Sequence, residues 1–174
     1  MKESNLVPNS VTYGCLIDAC VKNGKIEKAM EVFESMKKDG VPLNTIIYTT
    51  IIKGHAKAYK LDKALEIYHI MRMDQKNQPN NVTFNSLMDC CIRCNNLYEA
   101  AKIFGEMKAS SSKPDLITYS TLIKGYCKEK NIERALMMLD EMENSGIKAD
   151  EVLYNSLLDG CCKSNEIEMA LKVY

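Results

Sequence analysis

The segment VTYGCLIDACVKNGK beginning at Val11 returns as IIYTTIIKGHAKAYK at Ile46, VTFNSLMDCCIRCNN at Val82, ITYSTLIKGYCKEKN at Ile117 and VLYNSLLDGCCKSNE at Val152. An alanine keeps the same period at Ala29, Ala64, Ala100, Ala135 and Ala170, with spacings of 35, 36, 35 and 35 residues. A fixed period of this length makes each unit one supersecondary element that packs chiefly on its neighbours. The 174 residues are therefore expected to form an elongated stack rather than a sphere. Starting each unit just before its aromatic residue gives full units at 10–44, 45–80, 81–115 and 116–150 and a shortened fifth at 151–174, with 1–9 as a linker or the end of a preceding unit.

Within the first unit, Tyr13, Leu16, Ile17 and Cys20 fall at helical spacing, and Gly24 supplies a left-handed stop. Asn95 and Asn165 suit the same backbone, whereas Tyr59 and Lys130 occupy it at a cost. A second helix is predicted from Ile26, with Ala29, Met30, Phe33 and Met36 on one face and Glu27, Lys28, Glu31 and Lys37 elsewhere. The alanine allows two helices to cross closely, and Met36, Met71, Met107 and Met142 fill irregular gaps. Units end in turn sequences, GVPLN, QPN, SKPD and GIKAD, that break the second helix. The fold class read from this pattern is all-α, a solenoid of antiparallel helix-turn-helix repeats of about 35 residues. LVPN at Leu6 to Asn9 looks like the end of a further unit, and the sequence stops inside a second helix. An excerpt of a longer array is expected, with uncapped ends that fray or self-associate with another copy.

Charge excludes little by itself, because 23 Lys and Arg balance 23 Asp and Glu. Eight cysteines without a signal peptide, beside ample core material, point to reduced thiols in an intracellular compartment. The apolar run around Ile46 to Ile52 is too short to span a bilayer, so a soluble chain with no membrane partner is expected. MKESNLVPNS is neither Arg-rich nor amphipathic and carries no visible transit peptide. An enzyme reading fails on its parts. Cys91 and Cys94 form one C-x-x-C with no second pair, and Cys161 and Cys162 are adjacent. All eight cysteines fall in first-helix segments, where a small core residue is wanted. His55 and His69 are isolated and neither begins an H-x-E. No P-loop or nucleophile motif is present, so no catalytic residue, metal or cofactor is expected.

The units VTYGCLIDACVK, ITYSTLIKGYCK and VLYNSLLDGCCK, followed by AMEVFESM or AKIFGEM and closed by SSSKPD, resemble the pentatricopeptide repeat, in its P-type array, from Ser10 to Tyr174. The tetratricopeptide repeat fits poorly, because its period is 34 and its pattern contains a Trp that this chain lacks. The resemblance implies a right-handed α-solenoid that binds single-stranded RNA, one base per repeat, in mitochondria or plastids. It also implies base-reading pairs: Gly14 with Asn44, Thr49 with Asn80, Asn85 with Asp115, and Ser120 with Asp150, while Asn155 has no partner in the sequence. Guanine and uracil present an imino N–H that suits the carboxylate of Asp115 or Asp150, whereas adenine and cytosine present an acceptor that suits the Asn80 amide. In the family Thr or Ser selects purines and Asn pyrimidines, which implies 5′-A-U-G-3′ over the second to fourth repeats and a pyrimidine after it. Gly14 departs from the pattern and leaves the first repeat weakly specific.

Val11, Ile46, Val82, Ile117 and Val152 are implied to clamp the bases, a role that suits stiff β-branched side chains; alternatively they are helix-start residues packed on the previous unit. Lys22, Lys57, Arg93, Lys128 and Lys163 recur near the end of each first helix. They form either a phosphate-facing stripe or ordinary cations at helix C-termini. A helical-repeat scaffold for protein–protein interaction is the alternative function, since such arrays also bind peptides.

Overall fold

The computed structural model describes residues 8–173. Among the described residues there are ten helices and no strand: α1 (Ser10–Lys22), α2 (Ile26–Lys38), α3 (Thr45–Lys57), α4 (Leu61–Met73), α5 (Asn81–Arg93), α6 (Leu97–Ala109), α7 (Leu116–Lys128), α8 (Ile132–Asn144), α9 (Glu151–Ser164) and α10 (Ile167–Val173). They form antiparallel pairs stacked into a right-handed solenoid. Leu6 and Val7 of LVPN lie outside the described residues.

Each odd-numbered helix starts at an Asn or Asp whose side chain accepts the backbone N–H three residues on: Asn9, Asn44, Asn80, Asp115 and Asp150. Each ends in the same reversal. A residue with φ between 55° and 70° sits at Gly24, Tyr59, Asn95, Lys130 and Asn165. The next backbone N–H donates back to the carbonyl five residues earlier, as in Lys25 to Cys20 at 2.9 Å and Asn131 to Tyr126 at 2.9 Å. Tyr59 and Lys130 thus take the left-handed backbone despite its cost, because the same reversal, closed by the same backbone hydrogen bond, joins the two helices of every pair.

Packing separates two layers. Consecutive odd-numbered helices pack on one another along the whole stack, whereas even-numbered helices contact chiefly the odd-numbered helices on either side. The odd-numbered layer is accordingly the tighter, inner one. Gly54 and Gly160 permit that approach: a Cβ added at Gly54 would lie 2.8 Å from Val21 Cγ2 of α1, and one at Gly160 would lie 2.7 Å from Cys127 Sγ of α7. Ala29, Ala64, Ala100 and Ala135 and the four recurring methionines are fully buried in the core. Edge-to-face rings join one pair to the next, Phe33 to Tyr48, Tyr68 to Phe84 and Phe104 to Tyr119, at centroid distances of 5.9, 6.0 and 5.5 Å. On the outer layer, ion pairs bridge successive even-numbered segments, Glu27 with Lys60, Arg72 with Glu106 and Lys108 with Glu141.

Two expectations need correction. Leu16 is exposed, while its counterparts Ile51, Leu87, Leu122 and Leu157 are buried, because that face packs on the preceding odd-numbered helix and no described helix precedes α1. Cys94 caps α5 from outside the helix, and Cys15 and Cys162 are exposed, so the cysteines are not uniformly core residues. Among the described residues no helix is long and apolar enough to cross a membrane.

Candidate nucleic-acid interface

The residue that closes each unit is also the cap of the next inner helix, and this fixes which of its atoms remains available. Asn44 Oδ1 accepts from the Ile47 N–H at 2.9 Å and Asn80 Oδ1 from Thr83 at 3.0 Å. Asp115 Oδ1 accepts from Thr118 at 2.9 Å and Asp150 Oδ1 from Leu153 at 2.8 Å. With one oxygen committed to the backbone, an Asn cap has its NH₂ to offer and an Asp cap its second oxygen: a donor in the first case, an acceptor in the second.

The structure brings Asn85 and Asp115 into direct contact, with Asn85 Nδ2 donating to Asp115 Oδ1 at 3.1 Å. Thr118, fully buried behind them, places its hydroxyl 2.7 Å from Asn85 Oδ1 and 2.9 Å from Asp115 Oδ1. Burial pushes the Asp115 carboxyl up, but bonds from the Thr118 N–H and hydroxyl and from Asn85 and Asn81 outweigh it, and the net shift is downward. Asp115 is thus a carboxylate whose Oδ2, among the described residues, faces the Asn81 amide at 3.4 Å.

Thr49 and Asn80 are joined less directly. Thr49 is buried, donates to the Thr45 carbonyl at 2.8 Å, and lies 2.8 Å from the hydroxyl of Thr83, which in turn is 3.1 Å from Asn80 Oδ1. Its hydroxyl is engaged inside the protein, leaving the Asn80 amide as the outward polar group of that pair. Ser120 is half-buried and Asp150 exposed, and no hydrogen bond links them among the described residues. Gly14 offers no side-chain atom, and a Cβ there would meet open space. Asn155 is exposed.

Val11, Ile46, Val82, Ile117 and Val152 project outward, with exposures from 49% at Val82 to 74% at Ile46. Side chains packed on the previous unit would be buried, so exposure disfavours that alternative. Between α3, α5 and α7 a concavity of about 430 Å³ is lined by Lys53, Lys57, Val82, Asn85, Asp115 and Ile117. Two aliphatic walls there flank a donor–acceptor edge.

The five basic residues do not form an even stripe of free charge. Lys22 pairs with Asp18 at 2.6 Å, Arg93 with Asp89 at 2.7 Å and Lys163 with Asp159 at 2.6 Å, each across one helical turn. In α3 and α7 the residue one turn earlier is Lys53 or Lys124, so Lys57 and Lys128 have a second cation as neighbour instead of a carboxylate. Lys128 Nζ also donates to the Ile92 carbonyl at 3.4 Å. The inner face thus alternates between neutral and doubly positive helices.

Nothing assembles elsewhere into a metal centre: the described residues hold no cluster of three or more His, Cys, Asp or Glu. Burial pushes the Cys90 and Cys91 thiols up to about 12, which keeps them protonated and unreactive. His55 is buried with neither ring nitrogen hydrogen-bonded, and His69 is exposed. The sequence reading missed Thr83, Thr118, Lys53 and Lys124. The threonines were legible as the middle residue of VTF and ITY against IIY and VLY, and the lysines as the Asp/Lys alternation one turn before each terminal cation.

Comparison with known proteins bears on this architecture. Residues 2–174 match the family model described as the pentacotripeptide-repeat region of PRORP. An Arabidopsis thaliana pentatricopeptide repeat-containing protein, named as mitochondrial, is 46% identical over 39 residues, which cover 22% of this chain and 7% of that protein. The crystal structure of the pentatricopeptide repeat protein PPR10 from maize superposes with a TM-score of 0.88 at 26% identity, covering 98% of this chain and 24% of PPR10. PPR10 in complex with an 18-nt psaJ RNA element gives 0.85 at 26% identity over 99% of this chain and 25% of that one. The PPR domain of Arabidopsis thaliana protein-only RNase P 1 gives 0.76 at 21% identity over 90% of this chain and 82% of that one, a likeness of fold. The chain spans about a quarter of the PPR10 length. Five recurrences in register, the stacked helix pairs and a family match over nearly every residue agree: this chain belongs to the pentatricopeptide repeat family.

Proposed function

We propose that this chain is a sequence-selective, noncatalytic binder of single-stranded RNA that reads one base per repeat and acts in organelle RNA metabolism, shielding or remodelling a transcript. The observation that carries the reading is the Asn85–Asp115 pair between the exposed side chains of Val82 and Ile117. Its carboxylate oxygen can accept an imino N–H and its amide can donate to a carbonyl, the pattern of a uracil edge. Guanine offers the same two groups on a larger base, whereas cytosine and adenine turn an acceptor toward the carboxylate. Asn80 offers a donor, which suits adenine or cytosine, and Asp150 an acceptor, which suits guanine or uracil; the family's purine preference for Thr and Ser, applied to Thr49 and Ser120, narrows these to a predicted centre of 5′-A-U-G-3′ over the second to fourth repeats. The PPR10 structure with an RNA element supports RNA as the ligand, and the mitochondrial relative supports an organelle, mitochondrion or plastid.

The test is fluorescence anisotropy with short RNAs containing AUG, AUA and AGG, alongside Asp150→Asn. Preference for AUG that moves to AUA in the variant supports the reading and its polarity. Equal binding of all three by the folded protein refutes base reading.

A further inference from the structure

We propose that Thr118, and Thr83 one repeat earlier, are positioning residues of the base-reading site: each buried hydroxyl locks the first reader of the preceding pair into one orientation. The inference rests on the RNA-binding reading and explains which pairs are pre-organised for it.

Counting protons fixes the direction of each bond. The Thr118 hydroxyl has one proton and two oxygens in reach, Asn85 Oδ1 at 2.7 Å and Asp115 Oδ1 at 2.9 Å, with the weaker acceptor Met107 Sδ at 3.8 Å. Asp115 Oδ1 already accepts from the Thr118 N–H and from Asn85 Nδ2, whereas Asn85 Oδ1 has no other donor among the described residues. The proton therefore goes to Asn85. Thr118 Oγ1 meanwhile accepts from the Asp115 N–H at 3.1 Å, which closes the network. Asn85 is held with its oxygen on the threonine and one amide proton on the carboxylate, and its second amide proton is left for a base. Turning the amide over would set its oxygen against the carboxylate.

Thr83 repeats the arrangement. Thr49 gives its own proton to the Thr45 carbonyl, and Asn80 Oδ1, 3.1 Å from the Thr83 hydroxyl, already accepts the Thr83 N–H, so Thr83 donates to the nearer Thr49 oxygen at 2.8 Å; the Asn80 N–H donates to Thr83 Oγ1 at 3.4 Å. At the equivalent positions of the other two pairs stand Ile47 and Leu153, both buried and neither able to donate. Gly14 needs no such bond, but Ser120 lacks one. The pair Ser120 with Asp150 has the polar atoms of a reader without the bond that orders the first of them, and discrimination at the fourth position should be weaker than at the third.

The experiment compares the wild-type chain with Thr118→Val and Thr118→Ser, using RNAs containing AUG, ACG and AUA. In parallel, ¹⁵N NMR of the free proteins reads the order of the Asn85 side-chain amide. Expected is a loss of about tenfold in the preference for AUG over ACG in Thr118→Val, the worth of one charge-linked hydrogen bond, with recovery in Thr118→Ser. The AUG over AUA preference, set one repeat later, should stay unchanged, and the Asn85 amide should be ordered except in the valine variant. An amide equally mobile in wild type and Thr118→Val overturns the relay. An ordered amide with an unchanged preference in the valine variant overturns its role in reading. Wild-type protein that binds none of the RNAs overturns the proposed function itself, while the amide measurement still decides the relay.

Discussion

On the RNA-binding reading, Lys124→Ala should weaken RNA binding and flatten its salt dependence, whereas Lys22→Ala should do little of either. Both lysines lie on inner helices, but their surroundings differ. Lys22 lies 2.6 Å from Asp18, whose hydrogen bond raises its pKa, while Lys124 stands one turn from Lys128 with no carboxylate in either position. Exposed pairs of this kind are weak, and a phosphate can break one. It would then meet the carboxylate as well as the ammonium, and the gain would be small. Counting the inner-helix cations with no carboxylate partner among the described residues, Lys53, Lys57, Lys124 and Lys128, gives a slope of log K against log salt of about −2.8, at about 0.7 per neutralised phosphate on a single strand. Including Lys22, Arg93 and Lys163 would give about −4.9. Removing Lys124 should therefore reduce the slope by about 0.7 and weaken binding about fivefold at roughly 0.1 M salt. Asp89→Asn should do the reverse by releasing Arg93. Anisotropy titrations of a labelled AUG-containing RNA across roughly 50 to 300 mM salt measure both. Equal slope changes in Lys22→Ala and Lys124→Ala, or none in Asp89→Asn, would refute the alternating-charge argument.

Three further outcomes follow from the fold. Lys130→Gly and Tyr59→Gly should each raise stability in urea melts by about 0.5–1 kcal/mol, because the relief of left-handed backbone strain exceeds the entropy cost of glycine; a loss would contradict the shared reversal. Gly54→Ala should cost about 1–3 kcal/mol, since its Cβ would meet Ile26 at 2.5 Å and the stiff Val21 at 2.8 Å, whereas Gly14→Ala, into open space, should stabilise its helix by about 1 kcal/mol. Burial, and then the charges of Lys60 and Lys63, hold His55 below its ordinary pKa of 6.5. Below that pH the unfolded chain takes a proton that the folded chain resists, so stability present above about pH 6.5 should fall as pH drops toward the folded-state value. His55→Cys, matching Cys20, Cys91 and Cys161 at the equivalent position, should flatten that fall in thermal melts.

The helix pairs were legible because period, capping residue and turn glycine all act locally and all recur. Gly24 and Asn95 announce the reversal by their own conformational freedom. Tyr59 and Lys130 do not, and what puts them there is the hydrogen-bonded reversal they share with every other pair. The positions assigned as readers on the RNA-binding reading can be named from the sequence, but which of their polar atoms stay available cannot. Thr49 reads as a polar residue on an inner helix, and what removes its hydroxyl from the surface is Thr83, 34 residues away, presented by the next helix. The same limit applied to the cations. Lys22 and Lys57 look alike until the residue one turn earlier is set beside each, because a helix makes neighbours of positions four apart.

The closing residue of each unit answers two demands at once. Helix initiation asks for Asn, Asp, Ser or Thr, and of these only Asn and Asp have a second polar atom after the cap is made. On the RNA-binding reading, exchanging the two should reverse the outward group from acceptor to donor without touching the bond that starts the helix. Asp150 makes that bond through Oδ1 to the Leu153 N–H at 2.8 Å, which an asparagine oxygen can make as well. Asp150→Asn is therefore expected to melt within about 0.5 kcal/mol of the wild type, whereas Asp150→Ala should lose about 1 kcal/mol with the cap. The two variants together separate the fold from the code. If Asp150→Asn destabilises as much as Asp150→Ala, the cap depends on the charge of the carboxylate at the helix N-terminus rather than on its oxygen. A change of base preference in that variant would then have to be measured against a loosened helix.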